Sequence, residues 1–130
     1  MAGELTELRC ALRDADTMRV PAPAAKSKGD TEVKGDLVVF YLDDAGAAAD
    51  LVSVCFDAKK AYFTRKTKGL LINAGDRVYW NEAGKVVTKT ASDRAIGWGI
   101  SRDDNAGVAS AAGDTDVWIR FHQEVESSTY

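Results

Sequence analysis

The sequence specifies an all-β protein, a compact antiparallel β-sandwich or small β-barrel with an extended N-terminal arm. Three features point there. A Gly-Asp pair precedes a short apolar run three times: Gly35-Asp36 before residues 37–40, Gly75-Asp76 before residues 78–80, and Gly113-Asp114 before residues 117–119, with spacings of 40 and 38 residues. Glycine reaches positive φ without a Cβ clash, aspartate accepts hydrogen bonds from nearby amides, and β-branched or aromatic residues suit a pleated, half-buried surface. Each phrase is therefore a tight turn feeding a strand. Short apolar segments also recur between Gly-rich turns, as in sandwiches and small barrels. The one helix-like segment in the body, residues 47–50, is too short to stand as a helix.

Residues 1–30 differ from the rest. Leu5, Leu8 and Leu12 recur at helix-like intervals, while Leu8, Cys10 and Leu12 also alternate, so a short helix and an edge strand are both allowed. The following Pro21-Ala22-Pro23-Ala24-Ala25-Lys26-Ser27-Lys28-Gly29 cannot form a sheet ladder and is expected to run as an extended loop. A frayed terminus is the plainer reading; an arm that orders on a neighbouring subunit is the other. The leucines and Val20 lean toward the arm, because a solvated tail seldom carries them.

Residues 31–123 read as the β domain and residues 124–130 as a polar tail. Residues 37–42 are continuously apolar, as in a strand buried on both faces, and Asp43-Asp44-Ala45-Gly46 closes them. Residues 51–56 put Val52, Val54 and Phe56 on one face. Residues 61–64 and 70–72 are short apolar pieces separated by a charged turn ending at Gly69. Residues 77–80 lead through Asn81-Glu82-Ala83-Gly84 into residues 85–90, a hairpin with a four-residue loop. Residues 95–101 set Ile96, Trp98 and Ile100 on one face with Gly97 and Gly99 opposite, which predicts close backbone approach or a bulge. In residues 116–121, Val117, Ile119 and Phe121 oppose Trp118 and Arg120.

At 130 residues and 14.0 kDa the chain suits one domain with its own core. Its formal charge of -3 gives no general attraction to nucleic acid or an anionic membrane. The two cysteines are too few for a disulfide scaffold: Cys55 is expected as a buried hydrophobe and Cys10 as a free thiol, both consistent with a reducing compartment. The start, Met1-Ala2-Gly3-Glu4, has neither the basic nor the apolar region of a signal peptide. The longest apolar run falls far short of the roughly 20 residues of a membrane-spanning helix. Synthesis in a cytoplasm, with no membrane partner, is the expectation.

Residues able to carry chemistry are few. His122 is the one histidine and would have to serve any Ser-His-Asp or Cys-His arrangement; a small hydrolase built on it is a remote reading, and a surface histidine at a strand end is the plainer one. No zinc spacing is present, and Asp103-Asp104-Asn105 lacks the ligand spacing of a calcium loop, so it reads as a solvated turn. Gly84-Lys85 is followed by Val86, and Gly97-Trp98-Gly99 lacks a third glycine, so neither is a phosphate loop. No catalytic residue, cofactor or metal is expected. One cluster stands out: Lys59, Lys60, Arg65, Lys66 and Lys68, interleaved with Tyr62 and Phe63. On a β surface such residues can track and stack a single nucleic-acid strand. Alternatively, they protect an edge strand or meet an acidic protein surface.

The segments Ala74-Gly75-Asp76-Arg77-Val78-Tyr79-Trp80, Gly84-Lys85-Val86-Val87-Thr88, Arg94-Ala95-Ile96-Gly97-Trp98-Gly99 and Gly113-Asp114-Thr115-Asp116-Val117-Trp118-Ile119-Arg120-Phe121 carry a resemblance. In this order they resemble a family of small tailed-phage proteins encoded near the major capsid protein, often catalogued as phage recombinases. Gly35-Asp36-Leu37-Val38-Val39-Phe40 and Lys68-Gly69 fit the same pattern, so that the similarity covers about the last two thirds of the chain. The resemblance implies a head decoration, or cement, protein. It would be a β-rich homotrimer on the outer capsid surface of the virion, with the major capsid protein as partner. On that reading Leu5, Leu8, Leu12, Met18 and Val20 are the expected subunit or capsid contacts, and deletion of residues 2–20 is expected to leave a folded core that binds heads poorly. A small β-barrel binding single-stranded nucleic acid through residues 59–68 is the alternative.

Overall fold

A computed structural model describes residues 6–63, 65–101 and 107–123. The protein is all-β, a curled antiparallel sheet forming a half-barrel. Its strands are β1 (Thr6–Leu8), β2 (Ala15–Pro21), β3 (Thr31–Lys34), β4 (Leu37–Tyr41), β5 (Leu51–Phe63), β6 (Ile72–Asn73), β7 (Arg77–Asn81), β8 (Val86–Thr88), β9 (Arg94–Gly99), β10 (Val108–Ser110) and β11 (Val117–Phe121). The main sheet runs β3-β4-β5-β11-β9-β7-β8, and β6 and β10 form a separate pair.

The 13-residue β5 organises the sheet. One of its edges carries β1 and β2 in line, with a 3-10 turn at Leu12–Asp14 between them. Its other edge is shared by β4, paired at Val54 and Cys55, and β11, paired from Ala58 to Phe63. Two register shifts each leave an extra residue on β5, between Cys55 and Asp57 and again between Ala58 and Ala61. Bulges of this kind bend a strand and raise its twist, which lets two strands leave one edge in different directions. Gln123 closes the fork. Its side-chain N–H₂ donates to Val38 O (2.7 Å) and Phe56 O (2.9 Å), and its Oε1 accepts from Val38 N (2.6 Å).

Each side of the sheet holds an apolar cluster. Val38, Phe40, Ala58, Ala61, Ile96, Val117, Ile119 and Phe121 belong to the inner one, with Phe40 and Phe121 rings 5.3 Å apart. Val39, Tyr41, Val52 and Val54 form the second with Val20, Ala22 and Ala45, as the apolar run at residues 37–42 and the alternation at residues 51–56 anticipate. Within it, the buried Tyr41 hydroxyl donates to Glu32, and Lys26 pairs with the same carboxylate at 3.0 Å. Burial first, then Glu32, pushes the Tyr41 pKa well up.

Three expectations need correction. Residues 6–21 are not a projecting arm: β1 and β2 pair along an edge of β5, and Val20 is buried in the second cluster. Removing residues 2–20 therefore strips an edge from the longest strand and uncovers apolar side chains. Trp98 does not share the face of Ile96. Val78 pairs with Gly97 and Tyr79 with Ala95, so β9 carries an extra residue, Ile96, at a bulge. Beyond it, Gly97 and Gly99 stand opposite the buried Phe121 and Ile119, and Trp98 stands opposite Arg120 on the outer face. The hairpin loop is residues 82–85, one position later than expected, with Lys85 at φ 55.

Candidate interaction surface

The outer face of β5, β11 and β9 gathers aromatic and cationic side chains. Trp118 lies directly across from Tyr62, which faces Glu7 on its other side, and Arg120 lies across from Trp98, which faces Arg77. The Tyr62 and Trp118 rings meet edge to face at 5.0 Å. The Arg9 guanidinium stands 5.2 Å from the Tyr62 ring centre and 5.5 Å from that of Trp118, and Lys60 Nζ stands 5.3 Å from the latter. Cations are attracted to ring faces by the aromatic quadrupole, so these contacts hold the two charges over the indole and phenol. The Trp118 indole N–H is buried without an acceptor among the described residues.

Asp57, at a bulge of β5, anchors the neighbouring part of this face. It forms an ion pair with Arg120 at 3.4 Å and meets His122 Nδ1 at 2.7 Å, and the His122 ring lies 5.9 Å from Trp98. This knot ties β5 to β11; what it does in the structure is hold two strands and an aromatic ring in place.

The basic cluster read from the sequence divides. Lys59 is exposed and lies 3.7 Å from Asp14, and Lys60 covers Trp118. Lys66 is buried and donates from Nζ to Leu70 O and Ala111 O (2.6 Å); burial lowers its pKa, against a smaller upward pull from Asp114. It is a structural lysine joining two turns. Lys68 is exposed, and Arg65 is partly buried. The side chain of Phe63 lies outside the described residues, as do Leu5, Asp103-Asp104-Asn105 and residues 124–130.

The expected contact residues also separate. Leu8 packs partly against the inner core and Met18 against the second cluster. Val20 is 8% exposed, whereas Leu12 is 66% exposed. Leu8 and Leu12 line an open groove of about 780 Å³ with Phe40, Leu42 and Thr17. Cys55 is buried, with its thiol pushed up to about 12 by burial, and Cys10 is half-buried; both are free. Among the described residues no group of three His, Cys, Asp or Glu could hold a metal ion, and no helix is long and apolar enough to cross a membrane.

Arg9 and Trp118 were not singled out for this surface by sequence reasoning. Arg9 lies 51 residues before Lys60, and only the β1–β5 pairing brings them together. Searches of protein-family models, curated proteins and solved structures each return no match to this chain.

Proposed function

We propose that this chain is a non-enzymatic head decoration protein: it binds the outside of a phage capsid, as a homotrimer contacting the major capsid protein, and stabilises the shell against internal DNA pressure. Its place is the outer capsid surface of the virion, after synthesis in the host cytoplasm. The observation that carries the reading is the outer face around Tyr62, Trp118 and Trp98. Aromatic residues and arginine on a stiff sheet have the composition of a protein-binding centre, since they offer much contact area at little entropic cost. The turn–strand segments that carry the family resemblance form the hairpins and corners of the same sheet, which supports the reading further. Joining three copies in a trimer would add avidity of about 10²–10⁴-fold over a single weak capsid contact.

Single-stranded nucleic-acid binding through residues 59–68 is favoured by one observation, the proximity of Lys60 to Tyr62 and Trp118. Against it, Arg9 and Lys60 stand over the rings on which bases would stack, and Lys66 is committed to two carbonyls. Two assays separate the readings. Heads lacking the protein should withstand heating better once it is added. In a gel-shift titration, affinity for an oligonucleotide that falls steeply with salt is the signature of the alternative.

A further inference from the structure

Charge is unevenly distributed along β5. Residues 35–58 contain no lysine or arginine but carry Asp36, Asp43, Asp44, Asp50 and Asp57. Three of these, Asp43, Asp44 and Asp50, lie exposed in the loop that enters β5, beside Leu51, which is 56% exposed. Their carboxylates accept from Ser53 N, Lys28 N and the Gly46 and Ala47 amides, which tie each of them to the backbone of the loop or its neighbours. Arg19, bonded to Leu51 O, Lys28, and Lys26, which bridges to Ala45 and pairs with Glu32, are the cations placed beside it. Toward the other end of β5, the outer face carries Arg9, Lys60 and Arg120 against Glu7 and Asp57. Lys60 has no carboxylate partner among the described residues. At about 3.3 Å per residue, some 30 Å of strand contour, bent at two bulges, lies between the two surfaces.

We infer that copies of this chain join head to tail, the acidic loop at residues 43–50 and Leu51 of one copy docking on the Arg9–Lys60–Tyr62–Trp118 face of the next. This rests on the homotrimer of the proposed function and names the two surfaces that build it. The pairing is complementary in charge. An incoming carboxylate finds Lys60 with no carboxylate partner among the described residues, while Leu51 meets the ring edges. Because the surfaces differ and lie at opposite ends of one strand, the contact is heterologous, and such contacts form closed rings when the rotation between copies closes.

Light scattering of the purified protein tests this with charge reversals. The Arg9→Glu/Lys60→Glu chain and the Asp43→Lys/Asp44→Lys chain should each be monomeric, with self-association weakened at least about 30-fold. Mixing them should restore association in alternating order, since the unaltered loop meets the unaltered face and the reversed loop the reversed face. A chain carrying all four substitutions should regain the wild-type mass. Circular dichroism checks folding, and Lys60→Gln and Asp44→Asn probe the same surfaces if a reversal unfolds the chain. Wild-type mass in either reversed chain, or no rescue on combining them, overturns the inference. So does loss of oligonucleotide binding in Lys60→Gln at unchanged mass, which would make the face a nucleic-acid surface. Heads that take up a strictly monomeric chain would overturn the inference yet leave head decoration standing; a trimer that ignores heads would do the reverse.

Discussion

The Gly-Asp phrase works through its carboxylate. Asp76 accepts from Asn73 N at 2.8 Å while its own N–H donates to Asn73 O, and Gly75 between them has φ 90. Ala111 with Asp114 repeats the paired bonds, and so does Ser27 with Asp30 at a fourth Gly-Asp pair, Gly29-Asp30, whose following residues are less apolar. Gly35-Asp36 is different, a two-residue hairpin turn between Lys34 and Leu37. The Asn73 amide, and then Lys89, hold the Asp76 carboxyl below its ordinary 3.8. A depressed carboxylate contributes stability above its unfolded value and loses it as pH falls through the folded one. Chemical denaturation of Asp76→Asn should therefore show a loss of about 1 kcal/mol near neutral pH, with a shallower decline below pH 3.8 than wild type. Gly97 is the other sensitive position. At φ 142 a Cβ there would lie 1.8 Å from Arg120 O and 3.1 Å from His122 N. Gly97→Ala should cost more than about 3 kcal/mol in a urea titration, because backbone must move.

Strands β4 and β11 were legible because one face or both are apolar, and Val117, Ile119 and Phe121 are all buried as alternation requires. The length of β5 was not. Residues 51–56 and 61–64 read as two separate pieces because Asp57, Lys59 and Lys60 between them sit at bulges or on the outer face, where the period of two breaks. The same blindness to register misplaced Trp98. An edge strand was one of two readings left open at Leu8, Cys10 and Leu12, and the choice could not be made because the pairing of β1 and β2 with β5 is long-range and their side chains carry a weak periodic signal. Of the candidate surface, Lys60 and Tyr62 were visible in sequence, while Arg9 and Trp118 join them only through pairing. Gln123 is the strongest test of the forked edge. Gln123→Ala leaves the buried Val38 N–H without its acceptor and should cost about 2–4 kcal/mol, seen as a lower urea midpoint with β-type circular dichroism retained. Deletion of residues 2–20 should be more damaging still, exposing the second cluster and lowering soluble yield.

Taken whole, the molecule is a bent sheet with apolar packing on both sides and a cation-covered aromatic face left outward. Its curvature comes with bulges and turns set by single residues, and its borders differ in charge from one end of β5 to the other. A decoration protein needs this combination, a scaffold that keeps its shape and surfaces that meet other proteins. The most direct measurement is the occupancy of the purified chain on heads that lack it, quantified by electron cryomicroscopy at physiological salt. Head decoration predicts saturable density at a repeating outer position of the lattice, lost with Trp118→Ala in a chain that still folds. Bare heads at saturating protein would contradict it.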